Sequence, residues 1–180
     1  GKNIIHYMNI YIIIPVFNEE KYLRESMDSI VKQTLLPKKL LLVNDNSTDN
    51  SENILKKYSK EFSWIEYINI KSKQAHIPGE KVIRTFYKGL EKLDSNYDII
   101  CKFDSDIILP ENYLESIINI FNGYPKVGIA GGNLYIKKKN NWVYEKISSK
   151  NHVRGPIKSY RKKCFEDIQG LRKSIGWDTV

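Results

Sequence analysis

The chain is expected to fold as an α/β domain with a mainly parallel central sheet and helices on both faces. Three observations predict this. Apolar runs alternate along the chain with segments whose apolar residues recur at helical spacing. The runs are too continuously apolar to have a wet face, which is the signature of parallel strands covered on both sides. Loops rich in Asn, Asp, Ser and Glu follow the first, second and fourth runs, at the strand ends where open α/β sheets bind ligands.

Ile10 to Val16 reads as the first buried strand, and Tyr22 to Gln33 as a helix with Leu23, Met27, Ile30 and Val31 at helical spacing. Leu40 to Val43 is the second strand. A helix follows from Asn50, where Asp49 and Glu52 have the spacing of a capping box and Ile54, Leu55, Tyr58 and Phe62 form the apolar face. Ile65 to Ile70 is the third strand. Gly79 to Leu93 carries Val82, Ile83, Phe86, Tyr87, Leu90 and Leu93 along a broad helical stripe. Tyr97 to Phe103 reads as the fourth strand, and Pro110 to Phe121 as a helix with Leu114, Ile117, Ile118 and Phe121 on one face. From Val127 the pattern loosens: Gly128, Gly131 and Gly132 interrupt a strand, and Lys137 to Asn141 is a polar turn. No internal repeat or low-complexity linker divides residues 1–180, so a single domain is expected.

A chain of 180 residues that is 41% hydrophobic and 12% aromatic supports one substantial core. Its 29 Lys and Arg against 21 Asp and Glu give a net charge of +8 and a pI near 9.3. This favours anionic partners, whether nucleotides, nucleic acid or an acidic membrane face, without choosing among them. The basic residues are scattered, Lys137, Lys138 and Lys139 being the clearest cluster, and no helix-turn-helix or aromatic RNA motif accompanies them. Nucleic acid is therefore not the expected partner. Cys101 and Cys164 are too few and too isolated for a disulfide framework or a zinc cluster, and free thiols in a reducing compartment are expected. No apolar run approaches the length of about 18 residues that marks a membrane span, and no signal-peptide pattern opens the chain. A soluble, cytoplasmic protein is the expectation, with peripheral association at the inner face of the membrane left open.

The chemistry concentrates in Phe103-Asp104-Ser105-Asp106. In an extended segment, side chains at i and i+2 point the same way, so both carboxylates can converge on one object. Two such groups repel unless a cation or proton lies between them, and hard oxygen ligands suit Mg2+ or Mn2+. Two further loops, Pro15-Val16-Phe17-Asn18-Glu19-Glu20 and Asn44-Asp45-Asn46-Ser47-Thr48-Asp49, would meet the acidic pair over one crevice if strands one, two and four are neighbours. Each has a purely structural alternative. Asn18 and Glu19 can start a helix, and Asn46, Ser47 and Thr48 can form a turn and cap.

In this order the motifs resemble the GT-A fold glycosyltransferases of family 2. The resemblance rests on the two loops just quoted, on Gln33-Thr34, on the acidic pair and on Gly176-Trp177-Asp178, and it covers nearly the whole chain. It implies a Rossmann-like sheet with a nucleotide-binding half over about residues 1–110 and an acceptor-side half over about 111–180. It further implies inverting transfer of a sugar from a nucleotide diphosphate donor, with Mn2+ or Mg2+, to a glycan or lipid-linked acceptor in polysaccharide synthesis. Asp106 is then the direct metal ligand, and Asp104 contacts the ribose or the ion's water shell. Pro15, Phe17, Asn18, Glu19 and Asp45 belong to the nucleotide site, with Phe17 flanking the base and Asp45 accepting an N–H, which suits uracil or thymine. A UDP-sugar is the expected donor.

The family pattern has two adjacent acidic residues in the second loop, and here the first is Asn44. Lys81 and Arg84 are the basic residues offered to the diphosphate, with a solvated helix face as the alternative. Asp178 is the implied general base. Trp177, Gly131, Gly132 and Asn133 fall on the implied acceptor side, and His152 is open between a third metal ligand, an acceptor contact and a surface histidine. Family members continue past the base motif, whereas this chain stops at Val180, so a truncated catalytic core is expected. A nucleotidyltransferase making nucleotide sugars is the nearest rival, but the Gly-rich basic loop it needs after the first strand is missing. A phosphate-receiving domain places its acidic pair after the first strand, where this chain has Asn18 and Glu19.

Overall fold

A computed structural model describes residues 7–73, 79–130, 134–138, 141–145 and 157–174. Its centre is β1 (Ile10–Val16), in which every residue is buried. The alternation of side chains along a strand sends Ile10, Ile12, Ile14 and Val16 into one core, and Tyr11 and Ile13 into a second. On the first face lie α1 (Leu23–Val31), α2 (Ser51–Glu61) and α4 (Tyr113–Gly123), which supply Leu23, Met27, Ile54, Leu55, Leu114 and Ile117. On the second lie α3 (Glu80–Leu90) and α5 (Lys162–Ser174), which supply Phe86 and Phe165. Helices on both faces explain why no sheet strand through the middle alternates polar with apolar.

The main sheet has the order β3-β2-β1-β4-β9-β6, with β2 (Lys39–Asp45), β3 (Ile65–Ile70), β4 (Ile99–Phe103), β6 (Ile129–Ala130) and β9 (Ile157–Arg161). The pairings β3-β2, β2-β1 and β1-β4 are parallel, and β9 runs antiparallel to both β4 and β6. The mainly parallel sheet read from the sequence is thus present, and strands one, two and four are neighbours. A second, three-stranded sheet pairs β5 (Ile107–Ile108), β7 (Leu134–Lys138) and β8 (Asn141–Glu145) antiparallel.

Several boundaries differ from the sequence reading. β2 runs on through Asn44 and Asp45, so these residues are strand and not loop. α4 starts at Tyr113, three residues after Pro110. Within the polar stretch Lys137 to Asn141, Lys137, Lys138 and Asn141 are strand residues, with Lys138 opposite Asn141. The capping box is only half formed: Asp49 Oδ1 accepts from Ser51 N at 2.9 Å, but the Glu52 carboxylate accepts from Asn69 Nδ2 on β3 instead of turning back. Both cysteines are free, and burial pushes the Cys101 thiol up to about 12, which makes it a packing group and not a nucleophile.

One detail of β1 opens the sheet. Pro15 has no N–H to give a neighbour, and the ladder to β4 ends at Ile13 opposite Lys102, while the ladder to β2 continues to Val16 opposite Asn44. β1 and β4 therefore part at their carboxyl ends, and a crevice begins there.

α3 sits on β1 and β2 at Gly89. A Cβ there would lie 2.7 Å from Val43 Cγ2 and 3.1 Å from Ile13 Cγ2, both stiff β-branched side chains held in the sheet. Gly89→Ala is expected to lower unfolding stability by about 1–2 kcal/mol, overpacking outweighing the helix-propensity gain of about 1 kcal/mol. At Gly123 on α4 nothing lies within 4 Å of the added carbon, so Gly123→Ala is expected to be neutral or stabilising. Urea titration of both variants checks the contrast.

Candidate active site

A cleft of about 290 Å3 lies over the carboxyl ends of β1, β2 and β4, lined by Pro15, Val16, Phe17, Glu19, Asp45, Lys81, Val82, Thr85, Asp104, Ser105 and Asp106. The order of the sheet places it. Seven of the residues singled out in the sequence thus line one cleft: Pro15, Phe17, Glu19, Asp45, Lys81, Asp104 and Asp106. Asn18 and Arg84 stand outside that lining. Asp178, His152, Trp177, Gly131, Gly132 and Asn133 lie outside the described residues.

Asn18 holds the first two loops together. Its φ is +47°, a left-handed conformation that Asn tolerates better than most residues. In it, Asn18 Oδ1 accepts from Thr48 N at 2.8 Å and from Asp49 N at 3.3 Å, while Asn18 N donates to Ser47 Oγ at 3.0 Å. Glu19 N donates to Ser51 Oγ at 2.9 Å, Glu20 N to Asp49 Oδ2 at 3.1 Å, and Asn50 N to Glu20 Oε2 at 3.1 Å. Asn46 is left-handed too, at φ +55°. Two loops without internal regular structure thereby satisfy each other's backbone, and Phe17 is carried at the rim with 48% of its surface exposed. Asn44, where the family pattern has an acid, bonds Asn69 Oδ1 at 2.8 Å and ties β2 to β3.

Asp45 is 2% exposed, and a buried carboxylate costs free energy unless donors surround it. Its Oδ1 accepts from Ser72 N at 2.9 Å. Oδ2 accepts from Ser72 Oγ at 2.5 Å and Thr85 Oγ1 at 3.2 Å, with Lys81 Nζ at 3.6 Å. Ser72 and Thr85 went unnoticed in the sequence. Their only signal was that an acid ending an apolar strand must find hydroxyl or N–H partners somewhere. Lys81 also places its Nζ 3.3 Å from the centroid of the Phe17 ring, a cation–π contact. Arg84 pairs with Glu80 on its own helix.

Asp104 and Asp106 do not lie in an extended segment. β4 ends at Phe103, the chain turns through Ser105 and Asp106, and β5 follows. The turn still aims both carboxylates at the cleft, with Asp106 5% exposed and Lys102 Nζ 3.8 Å from Asp104 Oδ1. The turn is braced from behind by the end of α1. Ser29 Oγ accepts from Leu109 N at 3.0 Å, Gln33 Nε2 donates to Pro110 O at 2.6 Å, and Gln33 Oε1 accepts from Leu114 N at 3.0 Å. Thr34 adds bonds to Glu111 O and Glu115 Oε2, both at 2.8 Å. No group of three or more His, Cys, Asp or Glu converges among the described residues. Two carboxylates facing an open cleft nonetheless suit Mg2+ or Mn2+, which keep waters and take substrate phosphates as their remaining ligands.

Fold, crevice and acidic turn together define an α/β domain with an acid-lined cleft at the carboxyl ends of its parallel strands. Residues 11–173 match the family described as Glycosyl transferase family 2, and the chain belongs to that family. Glycosyltransferase GlyA of Streptococcus pneumoniae is 31% identical over 159 residues, which are 88% of this chain and 20% of that protein. The minor teichoic acid biosynthesis protein GgaB of Bacillus subtilis is 33% identical over 113 residues, 62% of this chain and 12% of that protein. The chain thus spans a fifth or less of the length of these relatives. Among solved structures, S. aureus TarS 1–349 in complex with UDP aligns with a TM-score of 0.69 at 20% identity, covering 90% of this chain and 49% of that one. The mannosyltransferase PcManGT of Pyrobaculum calidifontis, in complex with GDP-Man and Mn2+, aligns at 0.61 with 14% identity, covering 91% and 47%. At these identities the likeness is one of fold. No helix among the described residues is long and apolar enough to cross a membrane.

The loop clamp makes a pH prediction. Burial works to raise the Asp49 carboxyl, but hydrogen bonds from Ser51 and Glu20 outweigh it and hold the group below the ordinary carboxylate range. A depressed folded-state pKa stabilises above the unfolded value of about 3.9 and stops doing so as pH falls through the folded value. Asp49→Asn, which exchanges one acceptor for a donor, is therefore expected to be less stable than wild type at pH 7. The difference should shrink steadily below about pH 4. Thermal unfolding across pH 2.5–7 checks it, and a gap independent of pH would remove the carboxylate from the clamp.

Proposed function

We propose that this chain binds the donor in an inverting, metal-dependent sugar transfer from a nucleotide diphosphate, most simply a UDP-sugar, to an acceptor hydroxyl of a glycan or polysaccharide. The observation that carries this reading is the convergence of Phe17, Asp45, Asp104 and Asp106 on one cleft. Its volume is at the lower end of the ~300–1,000 Å3 of small-molecule sites, enough for the nucleotide part of a donor. TarS crystallised with UDP, PcManGT with GDP-Man and Mn2+, and GgaB's role in teichoic acid synthesis support the ligand classes.

Each residue then has a task its surroundings allow. Phe17 offers a ring face at the rim to the base. Asp45 accepts the imide N–H of uracil, the one hydrogen bond at that edge a carboxylate can make without a proton of its own. Asp106 is the direct ligand of Mn2+ or Mg2+, and Asp104 holds the ribose or the ion's water. When bound, the ion neutralises charge that gathers on the departing diphosphate. Asp178 accepts the proton of the acceptor hydroxyl as its oxygen attacks the anomeric carbon from the opposite side; this assignment rests on the resemblance of Gly176-Trp177-Asp178 to the family's motif. Asn18 acts one step back by fixing the loops, and Arg84, paired with Glu80 on its own helix, stands outside the lining.

UDP with Mn2+ is expected to raise the melting temperature. At a hundredfold excess over Kd the stabilisation is about 2.7 kcal/mol, or roughly 5–10 °C for a chain of this size. Asp106→Ala should abolish the metal-dependent part of the shift. Differential scanning fluorimetry with UDP, GDP and dTDP, with and without Mn2+, checks both, and the lack of any shift with every nucleotide would sink the reading.

A further inference from the structure

The base seat in the reading above is already in use by the protein. Lys81 Nζ lies 3.3 Å from the Phe17 ring centroid and 3.6 Å from Asp45 Oδ2, touching both the face and the edge assigned to the base. A ring stacked on that face of Phe17 and bonded to Asp45 Oδ2 needs the volume the ammonium fills, so in that seat the two exclude each other. Of the partners of Asp45, Ser72 binds through its backbone N–H and a short hydroxyl, and Thr85 is 2% exposed in the helix wall. Lys81 is the partner on a long flexible stem, one-third exposed and without a short hydrogen bond. It is the one that can leave.

Its departure has a cost that depends on the ligand. An ammonium drawn off an aromatic face and a buried carboxylate loses two favourable contacts. A nucleoside gives it nothing back. A nucleotide lying along the same cleft toward Asp104 and Asp106 brings phosphate oxygens within the lysine's swing, and a charge-assisted bond there replaces what was lost.

We propose that Lys81 is a specificity-determining residue that keeps the base seat closed to unphosphorylated ligands, yielding it only when a ligand's phosphates take up its ammonium. The inference rests on the donor-site reading and adds a coupling between base and phosphate recognition that neither group of residues has alone.

Titration calorimetry with uridine and with UDP plus Mn2+, on wild type, Lys81→Met and Lys81→Gln, tests it. Removing the ammonium is expected to tighten uridine and weaken UDP, so that the preference for UDP over uridine falls about tenfold or more. A preference unchanged in both variants, or uridine bound no more tightly by either, overturns the coupling while leaving the donor site standing. Wild type that binds neither ligand overturns the donor-site reading and this inference with it. Both substitutions fall on a partly exposed helical position outside both cores and leave Ser72 and Thr85 donating to Asp45, and thermal unfolding of each variant run alongside separates any loss of fold from loss of ligand.

Discussion

Much of this site follows from burying one carboxylate. Asp45 ends an apolar strand between two other strands, and placing it there at 2% exposure is tolerable only with donors on both oxygens. Those donors come from two places: Ser72, just past β3, and Thr85 and Lys81 on α3. Satisfying Asp45 therefore docks the start of α3 against the end of β2 and sets the wall of the cleft opposite Phe17. Near the other end of the helix, Gly89 allows the close approach to Val43, Ile13 and Leu41 that lets α3 lie low enough for Thr85 to reach. A packing constraint at one point and a polar constraint at another fix the same helix.

The acidic turn is fixed by a different route. It belongs to no long element: β4 stops at Phe103 and β5 has two residues. Its geometry is borrowed from the end of α1 and the residues just after it, where Ser29 and Gln33 hold Leu109, Pro110 and the first turn of α4. Buried amides with both ends satisfied are stiff, since losing one bond strands another polar group. The hydrogen bonds between the first two loops do the same for Phe17. Rigid elements thus hold irregular segments, which is how loop residues are kept in place over a sheet.

The parallel sheet, its two helical layers and the meeting of three loops were legible in the sequence because they follow from periodicity. Ile10 to Val16 has no polar position, and the helical stripes have several apolar residues each. The second, antiparallel sheet was not legible. β5 is too short for a pattern, and β7 and β8 contain Lys137, Lys138 and Asn141, which read as a turn. Among site residues, the acids announced themselves by spacing, although the extended geometry assumed for Asp104 and Asp106 gave way to a turn that serves the same end. Asn18 clamps the first two loops, a task set by its left-handed φ, which spacing does not reveal. Ser72 and Thr85 left no trace because a hydroxyl among many carries no pattern until its partner's position is known.

Net charge is the least faithful guide of all. The chain carries +8, yet the cleft is lined by four carboxylates, Glu19, Asp45, Asp104 and Asp106, against Lys81 as the one cation among its described lining residues. A diphosphate approaching that surface meets like charge at close range, and the scattered basic exterior, screened over about 8–10 Å of ordinary salt, cannot offset it. Within the donor-site reading, a divalent cation is then required for entry as much as for chemistry, because two acids at the mouth of β4 repel the very ligand they are placed to hold until an ion of opposite sign stands between them. The same reasoning explains why Lys81 matters out of proportion to its single charge. In a cleft whose described lining holds four acids, the position of the Lys81 ammonium sets, under that inference, which part of the surface is open to a neutral ring and which to a phosphate.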